Sequence, residues 1–215
     1  MSSRAALVAL AATLLVGTDA CGGQSPSGGH PASHSPGQAA KTDPQQAFLQ
    51  AMVPHHRSAI ETANVADREA ESPFIGRLAT AITKTQQSEI AEMRRIHERL
   101  FRSPLRPDDG AHEALGLSTE EAVMNHMPGG MMLHGKRPFD RAFVDEMVPH
   151  HRGAIAMAEA VLEKADDPAL RKLAEGIITA QRREIAAMEA FAKREYDEPR
   201  SMSGGPAPHH VENHE

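Results

Sequence analysis

Cysteine and aromatic residues are scarce in this chain of 215 residues, and their scarcity excludes several classes of site. The single cysteine, Cys21, excludes an internal disulfide, a zinc site made of cysteines and an iron–sulfur cluster. Tryptophan is absent and aromatics make up 3% of the sequence, so a stacking platform for bases or sugars is not expected. The net charge of -6 argues against nucleic acid and anionic membrane surfaces as partners.

Long apolar runs are missing as well. The mostly apolar segment 5–16 is too short to span a bilayer as a helix. Arg4 precedes this segment and small residues lead from it to Cys21, a pattern typical of a bacterial lipoprotein signal, in which the cysteine is lipidated and anchors the mature chain. Thr18 and Asp19 fit that motif less well, and an ordinary secretory signal is the alternative. Both interpretations predict an extracytoplasmic protein, either anchored in the cell envelope or secreted.

Two segments have a composition that cannot form a core. Residues 22–42 and 199–215 are rich in Gly, Ser, Pro and His, which predicts a flexible tether and a disordered, His-bearing tail. The body of the chain lies between them. The predicted parts are a signal peptide (1–21), the tether (22–42), a first helical hairpin (43–101), a Met- and His-rich connection (102–137), a second hairpin (138–198) and the tail (199–215).

The body contains the same unit twice. At an offset of 95 residues, AFLQAMVPHHRSAI aligns with AFVDEMVPHHRGAI, and 21 of the 50 positions from 47 to 96 are identical. The register continues without a gap through a second proline, Pro73 over Pro168. A repeat of this quality predicts that both copies fold as the same supersecondary unit.

Each copy is predicted to form two helices, because Ala, Leu, Glu, Arg and Met dominate all four segments. The joints are short, so each pair is an αα-hairpin, and two hairpins joined by the long connection make an all-α four-helix bundle. A capping residue followed by proline marks three of the four starts. The helices are expected from Pro44 to about Glu71, Pro73 to about Phe101, near Pro138 onward, and Pro168 to about Tyr196, with Asp43, Ser72 and Asp167 as N-caps.

Ligand-type residues share one stripe on each helix. At 100° per residue, Met52, His55 and His56 point to one side of the first helix, followed by small residues that leave room. On the second helix a Gln and a Glu lie on an apolar stripe, where they need polar partners. Arg57 and Arg152 are candidate partners for the two Glu residues. The stripes hold Met52, His55, His56, Ala59 and Ala63 with Ile82, Gln86, Glu89 and Met93, and in the second copy Met147, His150, His151, Ala154 and Ala158 with Ile177, Gln181, Glu184 and Met188.

Pro54 and Pro149 lie inside predicted helices, directly before the His pairs. An interior proline removes a backbone hydrogen bond at about 3 kcal/mol and frees a carbonyl, here that of Gln50 or Asp145. A local irregularity beside ligand-type residues favours a functional site over ordinary core packing.

Copper fits this combination of residues. Thioether sulfur selects Cu(I), and imidazole accepts both copper oxidation states. Outside the cytoplasm, Met and His resist oxidation better than free thiols. The predicted ligands are Met52, His55, His56, Glu89, Met93, Met147, His150, His151, Glu184 and Met188, with Gln86 and Gln181 beside them. The connection adds auxiliary candidates at Met124, His126, Met127, Met131, Met132 and His134, unless it is a loop whose methionines only cover the bundle end.

The motifs MVPHHRSAI and MVPHHRGAIAMA, each followed by Q-x-x-E-I-x-x-M, resemble the DUF305 family over about residues 43–196. The resemblance implies a ferritin-like fold, secretion and an association with copper binding and resistance. It carries over to Met52, His55, His56, Gln86, Glu89 and Met93 and to their equivalents in the second copy. It implies a copper-binding role but no reaction.

Three functions compete at this point. The first is a copper-binding lipoprotein that buffers, sequesters or hands on copper, with an unknown partner protein. The second is an oxidase on the same bundle, but no His has a Glu three residues before it, as a di-iron site requires, and nothing names a substrate site. The third is a non-catalytic envelope module whose His pairs are structural. No catalytic constellation is recognisable, which favours binding over catalysis.

Overall fold

The computed structural model describes residues 42–124, 130 and 133–197. All of them belong to one unit that spans residues 39–215. Within these residues there are no strands, and the predicted all-α four-helix bundle is confirmed. No helix in the described part of the chain has the length and apolar character needed to cross a membrane. The α-helices are α1 (Pro44–Glu69), α2 (Pro73–Phe101), α3 (Phe139–Leu162) and α4 (Pro168–Ala192).

Several predictions fall outside the described residues. These are the signal peptide with Cys21, nearly all of the tether, the tail, and most of the Met- and His-rich stretch of the connection. Four of the auxiliary metal candidates are therefore not placed: His126, Met127, Met131 and Met132.

Three helices begin where their caps predict. The side chain of Asp43 accepts a hydrogen bond from the backbone N–H of Gln45 at 2.8 Å. The hydroxyl of Ser72 accepts one from Phe74, and Asp167 caps α4 in the same way. A proline follows each cap at the first helical position, where its missing N–H costs nothing.

The first helix ends two residues earlier than expected, at Glu69 rather than Glu71. The reason is a contact with the other hairpin. The backbone N–H groups of Glu71 and Ser72 donate to the buried carboxylate of Asp140, at 2.9 and 2.7 Å, and are not available to continue the helix. Burial raises the pKa of Asp140.

The last helix also ends earlier, at Ala192 rather than near Tyr196, and continues as a π-helical turn over Lys193–Asp197. The wider turn places the ring of Tyr196 edge-on to Phe191, with centroids 6.1 Å apart. It also brings the carboxylate of Asp197 to the guanidinium of Arg141, at 3.1 Å.

The core consists of two apolar clusters, and each cluster takes residues from all four helices. The N-terminal half of α1 packs with the C-terminal half of α3, and the reverse holds in the second cluster, so α1 and α3 run antiparallel. The first cluster includes Phe48, Leu49, Met52, Val53, Ile90, Met93, Ile96, Met157, Val161, Leu170 and Ile177, and the second includes Ala63, Ile75, Ile82, Phe139, Phe143, Met147, Met188 and Phe191.

Equivalent residues tie each hairpin to the turn of the other. Asp140, at the start of α3, accepts from the α1–α2 turn as described above. At the equivalent position of α1, the side-chain oxygen of Gln45 accepts from the backbone N–H of Asp167 in the α3–α4 turn, at 3.2 Å. The guanidinium of Arg99 at the end of α2 pairs with both carboxylate oxygens of Asp167, at 2.8 and 2.7 Å.

The Arg99–Asp167 pair makes part of the stability dependent on pH. The hydrogen bonds from Arg99 lower the pKa of Asp167. The stabilisation is therefore present above the unfolded pKa of about 3.9 and is lost as pH falls through the folded pKa. We expect Asp167→Asn, which can still cap α4, to flatten this loss in urea unfolding midpoints measured between about pH 2 and pH 5. The same change at the exposed neighbour Asp166 is the control, and an equal acid loss in wild type and Asp167→Asn would contradict the assignment.

The connection packs against the bundle. Its 3₁₀ helix, Asp109–Leu115, contributes to the first cluster. The backbone N–H of Asp108 donates to the carbonyl of Gln50 at 3.1 Å. This is the carbonyl that Pro54 leaves without its helical donor, so the segment before the 3₁₀ helix completes the hydrogen bonding of α1 at its proline.

Candidate metal site

A layer of polar side chains separates the two apolar clusters. On each helix, the residues of this layer lie between those assigned to the first and second clusters. The four histidines in it are at most 4% exposed. The histidine layer consists of His55, His56, Gln86 and Glu89 from the first hairpin and His150, His151, Gln181 and Glu184 from the second.

The second histidine of each pair contacts the glutamate of its own hairpin. The Nε2 atom of His56 lies 2.8 Å from Oε2 of Glu89, and the same atoms of His151 and Glu184 are also 2.8 Å apart. An ionised carboxylate only accepts hydrogen bonds, so each Nε2 donates, and in a neutral imidazole this leaves the lone pair on Nδ1. The glutamates thereby select one tautomer of both rings.

The alternative pairing of the two glutamates with arginines does not occur. Arg152 pairs with Glu189 at 2.8 Å, and Arg57 is exposed. The buried histidines pair with the two glutamates instead. Each donates an N–H to a glutamate carboxylate that lies at the edge of the core.

The Nδ1 atoms of His56 and His151 are buried and have no hydrogen-bond partner within the described part of the chain. A buried polar atom without a partner costs about 1–3 kcal/mol. A histidine that binds a metal through one nitrogen commonly donates the other ring N–H to a carboxylate. Both rings already have this arrangement, with the lone pair directed into the protein.

The first histidines of the two pairs meet at the contact between the hairpins. The ring centroids of His55 and His150 are 3.9 Å apart, with an interplanar angle of 41°. His150 in turn lies 6.4 Å from His151, centroid to centroid. The histidines of both copies therefore belong to one central layer.

The glutamines add further unsatisfied polar atoms to the layer. Gln86 is 2% exposed, and neither its amide nitrogen nor its oxygen has a partner among the described residues. The side-chain oxygen of Gln181 is also buried and has no partner among the described residues. Gln86 precedes Glu89 by one helical turn, so its amide lies on the face that carries the glutamate.

The predicted methionines lie on both sides of the layer. Met52 and Met93 are in the first cluster and Met147 and Met188 in the second, all at most 1% exposed. Each of the two apolar clusters that border the layer therefore contains two of the predicted thioethers.

A fifth buried methionine, Met157, was missed by the sequence argument. It is fully buried in the first cluster with Met52 and Met93. Helical periodicity could have found it, because it lies at 340° from His150 and so shares its stripe. Comparison of the two copies does not reveal Met157, because the equivalent residue of the first copy is Thr62. The hydroxyl of Thr62 donates to the carbonyl of Ser58 at 3.0 Å.

The two auxiliary candidates that can be placed are not brought together. Met124 packs against the first cluster, whereas His134 is exposed and its Nδ1 lies 2.6 Å from Oε1 of Glu69 at the end of α1. Within residues 42–124, 130 and 133–197, no three His, Cys, Asp or Glu side chains form a metal-binding group.

Solved structures with this fold include metal-bound proteins. CopM in its Cu(I)-bound form is 30% identical, with a TM-score of 0.59 over 71% of this chain and 97% of CopM. CopM has also been solved in Ag-bound and Cu(II)-bound forms. A DUF305 fragment from Deinococcus radiodurans is 27% identical, with a TM-score of 0.56 over 72% of this chain and 98% of the fragment. A DUF305 protein from Streptomyces coelicolor shares the fold at 22% identity, with a TM-score of 0.59 over 71% of this chain and 93% of that protein.

Sequence comparison gives one short match and one long one. Uncharacterized protein L153 of Acanthamoeba polyphaga mimivirus is 35% identical over 52 residues, which span 24% of this chain and 34% of L153. The match to the DUF305 domain, a domain of unknown function, covers residues 45–192 and so includes all of the histidine layer. This match over most of the chain shows that it belongs to the DUF305 family.

Proposed function

We propose that this chain is an extracytoplasmic copper-binding protein that buffers, sequesters or hands on copper, and that copper binds at the histidine layer. One observation carries the proposal. Two buried histidines, His56 and His151, each donate Nε2–H to a glutamate and keep an unpartnered Nδ1 inside the core. Metal binding at these atoms would satisfy the lone pairs and remove the cost of leaving them buried.

The chemistry of the surrounding side chains favours copper. Imidazole nitrogen and thioether sulfur together suit Cu(I) better than hard cations such as Mg²⁺ or Ca²⁺. The metal-bound forms of CopM, solved with Cu(I), Cu(II) and Ag, support the same choice. In this proposal Glu89 and Glu184 orient His56 and His151, whereas the sequence argument counted the two glutamates among the ligands.

The cellular setting follows from the first residues of the chain. The signal-like segment ending at Cys21 supports export, with a lipid anchor at the cysteine as the more specific form of the proposal. The role is binding and transfer, with the metal ion as cargo, and an exported partner protein would receive it.

An anaerobic Cu(I) competition titration of residues 43–198 tests the site. The variant combines Met52→Leu, His56→Gln, Met147→Leu and His151→Gln, and we expect it to lose the tight binding of the wild-type bundle. A matched control, Met124→Leu with His134→Gln, changes the same two residue types outside the layer and should bind like wild type.

Equal affinity of the layer variant and the wild type would overturn the site. A lower unfolding midpoint with unchanged copper affinity would identify the His pairs as structural, which is the competing function of a non-catalytic envelope module. Loss of binding in the control alone would move the site to the connection.

A further inference from the structure

A groove lies beside Pro149 on the outer side of the second hairpin. Its volume is about 280 Å³, and it follows α3 to the end of α4. The floor is apolar and the rim is charged. The lining residues are Arg141, Val144, Asp145, Val148, Pro149, Glu189, Ala192 and Asp197.

The equivalent surface of the first hairpin, beside Pro54, is covered by the chain that follows α2. The carbonyl of Ser103 accepts a hydrogen bond from Nδ1 of His97 at 2.9 Å, and Leu105 packs against the first cluster. The N–H of Asp108 then reaches the carbonyl of Gln50. Segment 103–108 thus closes the surface beside the proline.

The surface beside Pro54 is more completely buried than the surface beside Pro149, as expected if segment 103–108 covers only the first. Leu49 and Val53 beside Pro54 are completely buried, whereas the equivalent Val144 and Val148 are 4% and 8% exposed. Pro149 also removes the helical donor to the carbonyl of Asp145, as Pro54 does for Gln50. The second hairpin lacks, among the described residues, the segment that completes the first.

The chain after α4 is in position to supply that segment. The last described residue, Asp197, is itself a wall of the groove, so the next residues start at its edge. At the offset of 95, Pro199 falls on Pro104 and Ser203 falls on Asp108. Ser203 follows Asp197 by six residues, just as Asp108 follows the equivalent Arg102 by six.

Charge at the rim favours the same segment. The three carboxylates of Asp145, Glu189 and Asp197 replace Gln50, Arg94 and Arg102 of the first hairpin. The segment after α4 carries Arg200 where the segment after α2 has Leu105. Arg141 at the same rim pairs with Asp145 and Asp197, and Arg152 pairs with Glu189, but the three carboxylates still outnumber the one lining arginine. Arg200 would join these exposed ion pairs, and its contribution is modest.

We propose that residues 199–203 dock in the groove beside Pro149, as 104–108 cover the surface beside Pro54, with Arg200 at the acidic rim. The N–H of Ser203 then donates to the carbonyl of Asp145.

Amide hydrogen exchange of the full mature chain tests the docking. We expect the amides of residues 200–203 to be protected at least about tenfold more than those of residues 209–214, independently of protein concentration. The variant Arg200→Glu lies outside the bundle and leaves its core unchanged, and it should reduce this protection. Glu212→Lys, a charge reversal beyond the segment, is the matched control and should leave protection unchanged.

Exchange of residues 200–203 at the rate of residues 209–214 would overturn the proposal. Protection that rises with protein concentration would assign the groove to a second copy of the chain instead. Equal protection in Arg200→Glu and Glu212→Lys would also contradict it, since the rim would then play no part.

Discussion

Replacing Glu89 with glutamine should lower the Cu(I) affinity of the histidine layer by about 10- to 100-fold without unfolding the bundle. Glutamine keeps an oxygen that accepts the hydrogen bond from Nε2 of His56, so the ring stays in place. It removes the negative charge that strengthens the metal bond of His56 and that offsets the charge of the bound ion. Anaerobic competition against a Cu(I) chelator measures the loss.

Two further variants make this result specific. Glu92→Gln changes a half-exposed glutamate of the same helix, paired with Arg95 outside the histidine layer, and should bind copper like wild type. Glu89→Gln combined with Glu184→Gln should weaken binding more than either alone, since each glutamate orients its own histidine. Wild-type affinity in the double variant would show that the two His–Glu pairs hold the fold and not the metal.

Replacing Gly153 with alanine should lower the stability of the protein by about 1–3 kcal/mol. A Cβ atom at Gly153 would lie 2.5 Å from the carbonyl oxygen of Ala122 and 2.8 Å from Cβ of Val123 in the connection. Val123 already has a φ of 51°, which is unfavourable for a β-branched residue, so this part of the connection has little freedom to move away. Thermal unfolding should show a midpoint several degrees lower.

Gly176→Ala is the matched control for that substitution. Gly176 is also inside a helix, but no atom lies within 4 Å of its added Cβ. Alanine there should raise stability by up to about 1 kcal/mol, because it only removes the conformational freedom of glycine in a helix. If both substitutions stabilise the protein, the connection does not pack closely on α3.

The sequence was sufficient for the helices because their signals are local. Asp43, Ser72 and Asp167 are N-caps followed directly by proline, so each of these three helix starts is encoded within three residues of sequence. The residues predicted to share a face are also buried together, except Glu89, which is half-buried. The helix ends were less accurate because they depend on contacts between hairpins, such as Asp140 with the α1–α2 turn.

The sequence indicated that the polar residues of the layer need hydrogen-bond partners, but it did not identify which residues pair. The pattern required a polar partner for Glu89, and the sequence suggested Arg57, whereas the structure pairs Glu89 with the neighbouring His56. Burial decided between them: the imidazole is inside the core, while the guanidinium remains in solvent. The partner of the Gln50 carbonyl, Asp108, was beyond prediction, because no local pattern indicates where the connection crosses α1.

The composition of the two apolar clusters determines how late in its synthesis the chain can complete its core. Each cluster needs side chains from both hairpins, and the contact between Gln45 and Asp167 joins residues 122 positions apart. A ribosome completes α1 and α2 long before α3 exists, so the apolar stripes of the first hairpin have only each other to pack against during that time. The nascent chain therefore cannot bury its core until nearly all of it has been synthesised, and the first hairpin stays open to proteases and chaperones until then.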